Sequence, residues 1–146
     1  YLKKLILPLC NLVTPNIPEA EVLIGSSISN KKDMIEAAKK ILNMGSKNVL
    51  LKGGHLKSKM ICDILATKKG IKVFSKRKIK TKNTHGTGCT LSSALATCLS
   101  QKKNIVKSCK ISLRYVDKAI ASAPGYGKGF GPLNHLVSFN LRNNDA

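Results

Sequence analysis

Tryptophan is absent from this 146-residue chain, aromatic residues make up only 4% of it, and acidic residues number 7. Against 26 Lys and Arg, that scarcity of acid leaves a formal net charge of +19, from 26 − 7. Arginine is scarce as well, since 23 of the basic residues are Lys and 3 are Arg. Arg makes the bidentate contacts that suit phosphate and guanine, whereas Lys is a solvated point charge. Single-stranded nucleic acid also calls for stacking aromatics among the cations. Near the densest cluster here, Lys76-Arg77-Lys78 with Lys80 and Lys82, Phe74 stands alone. The charge thus describes a solvated basic surface that attracts anions in general, and it argues against a nucleic-acid partner. Eleven Asn and 13 Ile accompany the Lys, a combination that AT-rich codons produce without any functional demand.

Long hydrophobic runs are missing too, so no membrane-spanning helix is expected. The 5 Cys are odd in number and irregularly spaced, which excludes a disulfide framework and points to a reducing cytoplasm. No Cys-x-x-Cys occurs, and His55, His85 and His135 lack ligand spacing, so zinc is not expected. The chain opens on Tyr1, with Lys3 and Lys4 before an apolar stretch of six residues, Leu5 to Cys10. A leader needs an apolar region of about 7–15 residues, and Pro8 interrupts this one, so a plain strand or core segment is the expectation.

What is present suits one domain with a real core, covering 1–146. The 42% hydrophobic content is too high for a disordered tail. There is no internal repeat and no convincing boundary. Residues 11–14 read as a short strand stopped by Pro15, and Pro18 with Glu19 and Glu21 opens a short helix that Gly25 ends. Met34, Ile35, Ala38, Ile41 and Leu42 recur at helical spacing, capped by Ser29 or Asn30 and stopped by Gly45, giving a helix over 30–44. Val49-Leu50-Leu51 forms a buried strand over 48–52. Residues 60–66 and 71–79 read as two strands joined at Lys68-Lys69-Gly70, a hairpin at a sheet edge. Helices follow over 89–99 and 104–123, the second with a stripe of Val106, Cys109, Leu113, Val116 and Ile120. The glycine-rich stretch 125–131 comes next, and residues 143–146 are expected to fray.

Three places can carry chemistry. Asn83-Thr84-His85-Gly86-Thr87-Gly88-Cys89-Thr90 is a glycine-broken loop leading into a helix, whose first N–H groups and positive end bind anions. It lacks the Gly-Lys-Ser/Thr of a P-loop and the third glycine of a dinucleotide fingerprint, so an ordinary loop reads equally well. Cys89 falls in the first helical turn, where the dipole favours a thiolate; Cys98 and Cys109 lie on apolar stripes and read as small hydrophobes. Asn16 and Glu19, three apart just past a strand end, suit either helix capping or a magnesium-phosphate site. Lys52 ends the buried strand before Gly53-Gly54-His55 and is placed to reach a phosphate.

Taken in order, Leu12-Val13-Thr14-Pro15-Asn16-Ile17-Pro18-Glu19-Ala20-Glu21, Val49 to Leu56, Lys82 to Ser92 and Gly127 to His135 resemble four segments of the hydroxymethylpyrimidine/phosphomethylpyrimidine kinases, in the ribokinase-like superfamily. The resemblance implies a three-layer α/β fold with a mainly parallel sheet, here its C-terminal part, the N-terminal part being absent. It implies transfer of the γ-phosphoryl of ATP, with magnesium, to a pyrimidine alcohol and then to its monophosphate. Gly86, Thr87 and Gly88 would form the anion hole, and Cys89, where most sugar-kinase relatives place Asp, would be the base. Asn16, Glu19, Lys52 and Thr84 would lie in the nucleotide and magnesium-phosphate region. The full-length protein would be a cytoplasmic homodimer, with no nucleic-acid or membrane partner, and the isolated chain an incomplete enzyme. A pyridoxal kinase of the same branch, which also uses Cys in this motif, and a non-catalytic remnant of a decayed kinase gene are the alternatives.

Overall fold

The computed structural model describes residues 1–56 and 58–137. The chain forms two compact units, Tyr1–Lys78 and Ile79–Ala146. The expected fraying of 143–146 lies outside the described residues.

The first unit begins with two helical turns, Leu2–Ile6 and Leu7–Leu9. This corrects the expected strand or core segment. Only Leu7 is buried, while Leu2, Leu5, Ile6 and Leu9 are exposed. Pro8, with its φ fixed and no N–H to give a strand ladder, suits the second turn. Helix α1, Ile17–Ile24, follows and ends at Gly25, whose φ of 70° only glycine adopts easily. Helix α2, Lys31–Leu42, is capped by Asn30, whose Oδ1 accepts from Lys32 N at 2.8 Å and Asp33 N at 3.0 Å. Its buried face is Met34, Ala37, Ala38 and Ile41; Ile35 and Leu42 are only partly buried. Gly45 lies past the helix end with φ 115°, and a Cβ there would stand 3.0 Å from Pro8 Cγ.

Strand β1, Asn48–Leu51, places Val49, Leu50 and Leu51 entirely out of water, each side chain contributing about 1.5–3 kcal/mol. The expected strand at 11–14 is reduced to single-residue parallel pairings of Val13 with Val49 and Asn16 with Lys52. Leu50 N donates to Val13 O at 2.8 Å, and Lys52 N donates to Pro15 O at 2.9 Å. Pro15 has no N–H to return, so the ladder cannot run on through it. Strands β2, Met60–Thr67, and β3, Gly70–Arg77, form the expected hairpin. Its turn is held by Thr67, whose hydroxyl donates to Gly70 O at 3.1 Å and accepts from Lys69 N at 3.1 Å. The order is β1-β2-β3, with antiparallel neighbours and β3 at the edge, and the parallel partner of β1 is the 13–16 segment. Helices α1 and α2 pack with β1 and β2 around Ala20, Met34, Ile41, Val49, Leu51 and Ile64.

The second unit is a helix pair with its loops. Helix α3 runs Thr87–Ser100 and helix α4 runs Ile105–Ala121. Asn104 caps α4, its side chain accepting from Lys107 N at 2.8 Å. Leu91, Leu95 and Cys98 of α3 are buried, as are Cys109, Leu113 and Val116 of α4. The predicted α4 stripe is otherwise corrected. Val106 is exposed and Ile120 half-buried, while Ser108, Ile111 and Ser112 are buried. Two serines on the inner face let the helices approach, and Ser112 Oγ reaches Cys98 Sγ at 3.9 Å.

Candidate functional site

In the second unit, Gly86 is the N-cap of α3 with φ 82°, a left-handed conformation that costs glycine nothing. Among the described residues, no side chain caps this helix. Thr87 turns its hydroxyl back onto Thr84 O at 2.6 Å, and Thr90 N donates to Gly86 O at 2.9 Å. Among the described residues, no backbone acceptor lies on the N–H of Gly88 or Cys89. Those two N–H groups, at the positive end of a fourteen-residue helix, are free to meet an anion. The structure thus brings Thr84, Gly86, Thr87, Gly88 and Cys89 into one turn, as the sequence placed them.

Cys89 is exposed and lines a cleft of about 490 Å³ between α3 and α4. Thr90, Ser93, Ser112, Tyr115 and His135 share that lining. Cys98 and Cys109 are buried, as their places on the apolar stripes require, and none of the five cysteines is in a disulfide. Thr90 Oγ1 donates to Gly86 O at 2.9 Å and stands 2.9 Å from His135 Nε2. Tyr115 OH donates to the His135 carbonyl at 3.0 Å. Sequence reasoning gave Thr90, Tyr115 and His135 no role. The partners Thr90 and His135 are 45 residues apart, and no local pattern joins them.

In the first unit, Asn16, Glu19 and Lys52 meet at the carboxyl ends of the paired segments 13–16 and 48–52. Asn16 pairs with Lys52 through the backbone. Asn16 Oδ1 accepts from Glu19 N at 2.9 Å, and Glu19 Oε2 accepts from Asn16 N at 2.8 Å. This is a reciprocal capping box on α1. Glu19 keeps its other carboxylate oxygen at an exposed position. Beyond Lys52, Gly53 N donates to Oδ1 of Asp63 at 2.9 Å, a carboxylate only 4% exposed. A Cβ at Gly53 would run into the Cys62 carbonyl, so glycine is required there. Asp63 was missed as well, although a lone Asp in the apolar run of β2 was its signal.

Among the described residues, no three of His, Cys, Asp and Glu come together as a metal cluster. No described helix is long and apolar enough to cross a membrane.

A family model described as phosphomethylpyrimidine kinase matches residues 1–134. A thiamine biosynthesis bifunctional protein of Geobacter sulfurreducens is 46% identical over 137 residues, 94% of this chain and 28% of that protein. A hydroxymethylpyrimidine/phosphomethylpyrimidine kinase of Staphylococcus aureus is 38% identical over 93% of this chain and 50% of its own length. Among solved structures, Bacillus subtilis pyridoxal kinase in complex with ADP superposes with a TM-score of 0.87 at 32% identity, over 92% of this chain and 53% of that one. Clostridium difficile phosphomethylpyrimidine kinase superposes with a TM-score of 0.69 at 40% identity, over 82% of this chain and 47% of that one. The chain therefore spans half or less of the curated relatives named here. The fold is the α/β fold of these ribokinase-like kinases, and with a family match running from the first residue through the helix turn to Asn134, this chain belongs to the phosphomethylpyrimidine kinase family.

Proposed function

We propose that this chain carries the phosphoryl-transfer part of a hydroxymethylpyrimidine/phosphomethylpyrimidine kinase of thiamine biosynthesis. The reaction moves the γ-phosphoryl of ATP to the hydroxyl of 4-amino-5-hydroxymethyl-2-methylpyrimidine, and in a second step to its monophosphate. The observation that carries the reading is the uncapped start of α3 at Gly86–Cys89, in a chain of this family. Phosphoryl transfer needs little covalent chemistry from the protein beyond positioning and charge stabilisation. In the anion hole expected at Gly86, Thr87 and Gly88, the free N–H groups of Gly88 and Cys89 would hold the transferring group, since Thr87 N donates to Thr84 O at 3.3 Å. Cys89 would take the acceptor's proton, being the titratable side chain of that turn and exposed to the cleft. Thr84 fixes the turn through its carbonyl.

Asn16, Glu19 and Lys52 would act on the phosphate and magnesium side. The carboxylate of Glu19 and the amide oxygen of Asn16 are of the kind that magnesium, a hard cation, takes, often through water, while the Lys52 ammonium would meet the phosphates. Bound there, the ion would offset the charge of the phosphates. The capping box leaves Glu19 Oε1 for that role, while Oε2 and Asn16 Oδ1 hold the backbone of α1. Both units would belong to one kinase domain of a cytoplasmic homodimer, a compartment that suits five cysteines outside any disulfide.

A pyridoxal acceptor is the second reading. It is favoured by the higher TM-score to pyridoxal kinase, 0.87 against 0.69. The test is ATP-dependent phosphorylation of the pyrimidine alcohol, its monophosphate and pyridoxal by the protein that carries this chain. Turnover of the first two supports the leading reading, and turnover of pyridoxal alone selects the second. Turnover of none would leave a non-catalytic remnant.

A further inference from the structure

The turn at the start of α3 is held on both flanks by one short segment, residues 131–135. On the upstream side, His85 N donates to Gly131 O at 3.2 Å, and His85 pairs with Pro132 in parallel. On the downstream side, His135 Nε2 stands 2.9 Å from Thr90 Oγ1. The segment is itself fixed to α4. Asn134 N donates to Ala119 O at 3.0 Å, Tyr115 OH donates to His135 O at 3.0 Å, and Leu133 is 4% exposed. The two bonds to the turn differ in kind. The one at His85 is backbone only, whereas the one at Thr90 depends on a particular side chain.

A threonine hydroxyl has a single proton. That of Thr90 goes to the Gly86 carbonyl at 2.9 Å. The same oxygen must then accept from His135, so the imidazole carries its hydrogen on Nε2. The acceptor at the end of this chain is informative. Gly86 O belongs to the peptide whose other end is the N–H of Thr87, the first residue of α3. Gly86 has φ 82° and no Cβ, so that peptide plane has no steric lock of its own. Backbone bonds hold it at both ends, Thr90 N to Gly86 O at 2.9 Å and Thr87 N to Thr84 O at 3.3 Å, and two hydrogen bonds in series, His135 to Thr90 and Thr90 to Gly86, add a side-chain lock on the same carbonyl.

We propose that His135 is a positioning residue for phosphoryl transfer, fixing through Thr90 the peptide plane that aims the N–H groups of the α3 start. The inference rests on the kinase reading above. His135 contacts the turn through Thr90 and needs no contact with the reacting atoms. It deserves its place because orientation dominates this chemistry: a displacement of about 1 Å costs on the order of a hundredfold in rate.

The test uses four variants. His135→Gln keeps an N–H near the Nε2 position and His135→Leu removes it; Thr90→Ser keeps the relay hydroxyl and Thr90→Val removes it. Imidazole ¹⁵N NMR of the ligand-free protein is expected to find His135 as the Nε2–H tautomer, and the Nδ1–H tautomer would overturn the relay. In His135→Leu and Thr90→Val, amide hydrogen exchange at Thr87 and Thr90, the hydrogen-bonded amides of the turn, is expected to accelerate about fivefold, with the middle of α4 unchanged. Unchanged exchange at the turn overturns the proposal. So does faster exchange throughout both helices, which would make His135 a general structural residue. In the active enzyme, kcat is expected to fall about 10- to 100-fold in His135→Leu with acceptor KM little changed, and to recover in His135→Gln. An inactive wild type would sink the kinase reading, while the tautomer and exchange measurements would still decide the relay.

Discussion

Cys89 occupies the third position of α3, is exposed, and faces the cleft that His135 also lines. General-base help is worth about 10²–10⁴-fold, so Cys89→Ser is expected to lower kcat by that order and leave nucleotide affinity nearly intact. Cys98→Ser and Cys109→Ser put a hydroxyl into sites that are 3% and 0% exposed, and are expected to lower stability instead. Measuring kcat, nucleotide affinity and denaturant midpoints for the three variants decides it; near-normal turnover in Cys89→Ser removes the base. Gly53 offers a second residue-scale test. A methyl there meets the Cys62 carbonyl, and moving the chain also strains the bond from Gly53 N to buried Asp63. Gly53→Ala is expected to cost about 1–3 kcal/mol in urea unfolding, whereas Gly54→Ala, with nothing within 4 Å, should cost far less. At this scale the sequence placed Gly86 to Cys89 at a helix start, but the glycines alone read equally well as an ordinary loop, and only the family resemblance singled them out. Asn16 and Glu19 fitted capping and phosphate binding alike, and the observed box fills only the first of these. The Thr90–His135 bond was illegible, since a side chain 45 residues away leaves no periodic trace.

Among the elements, α2 and β1 were legible for a plain reason: their buried faces are built from residues with no other good environment. Met34, Ala38 and Ile41 recur at helical spacing, and Val49-Leu50-Leu51 is too short and too apolar for anything but a buried strand. Helix α4 misled because its inner face includes polar residues. Ser108 and Ser112 are fully buried, and hydropathy alone turns the predicted face toward Val106. Small size selects these serines, since Ser112 lies against Cys98 of α3. Ser112→Ala is therefore expected to be nearly neutral and Ser112→Leu to cost about 1–3 kcal/mol, by overpacking the helix contact. Thermal unfolding of the pair checks this, and equal midpoints would show the interface to be slack. The strand expected at 11–14 shrank because Pro15 ends the run of donors.

Across the whole molecule, the dominant quantity is the net charge of +19. Like charges at this density oppose compaction, and salt screens them over about 10 Å at 0.1 M ionic strength. The melting temperature is therefore expected to rise when sodium chloride is added to a low-salt buffer. A falling or flat dependence would mean that local attractions, such as the exposed Lys39–Glu36 pair at 2.9 Å, outweigh the general repulsion. The same field concentrates anionic ligands near the surface, so nucleotide affinity should weaken over the same salt range.

The segment 131–135 grips the start of α3 through noncovalent bonds, yet its covalent tie to α4 runs through an exposed stretch. Tyr126 and Phe130 are 72% and 78% exposed, and Gly125, just before them, and Gly127, between them, hold positive φ. Chymotrypsin should find those aromatics first. A nicked chain would then keep its two pieces together through Gly131, Asn134 and His135, co-eluting on a sizing column and separating only in denaturant. The grip on the turn at the start of α3 would in effect have become a bimolecular complex, whose strength can be weighed by competing a synthetic peptide of this segment against it.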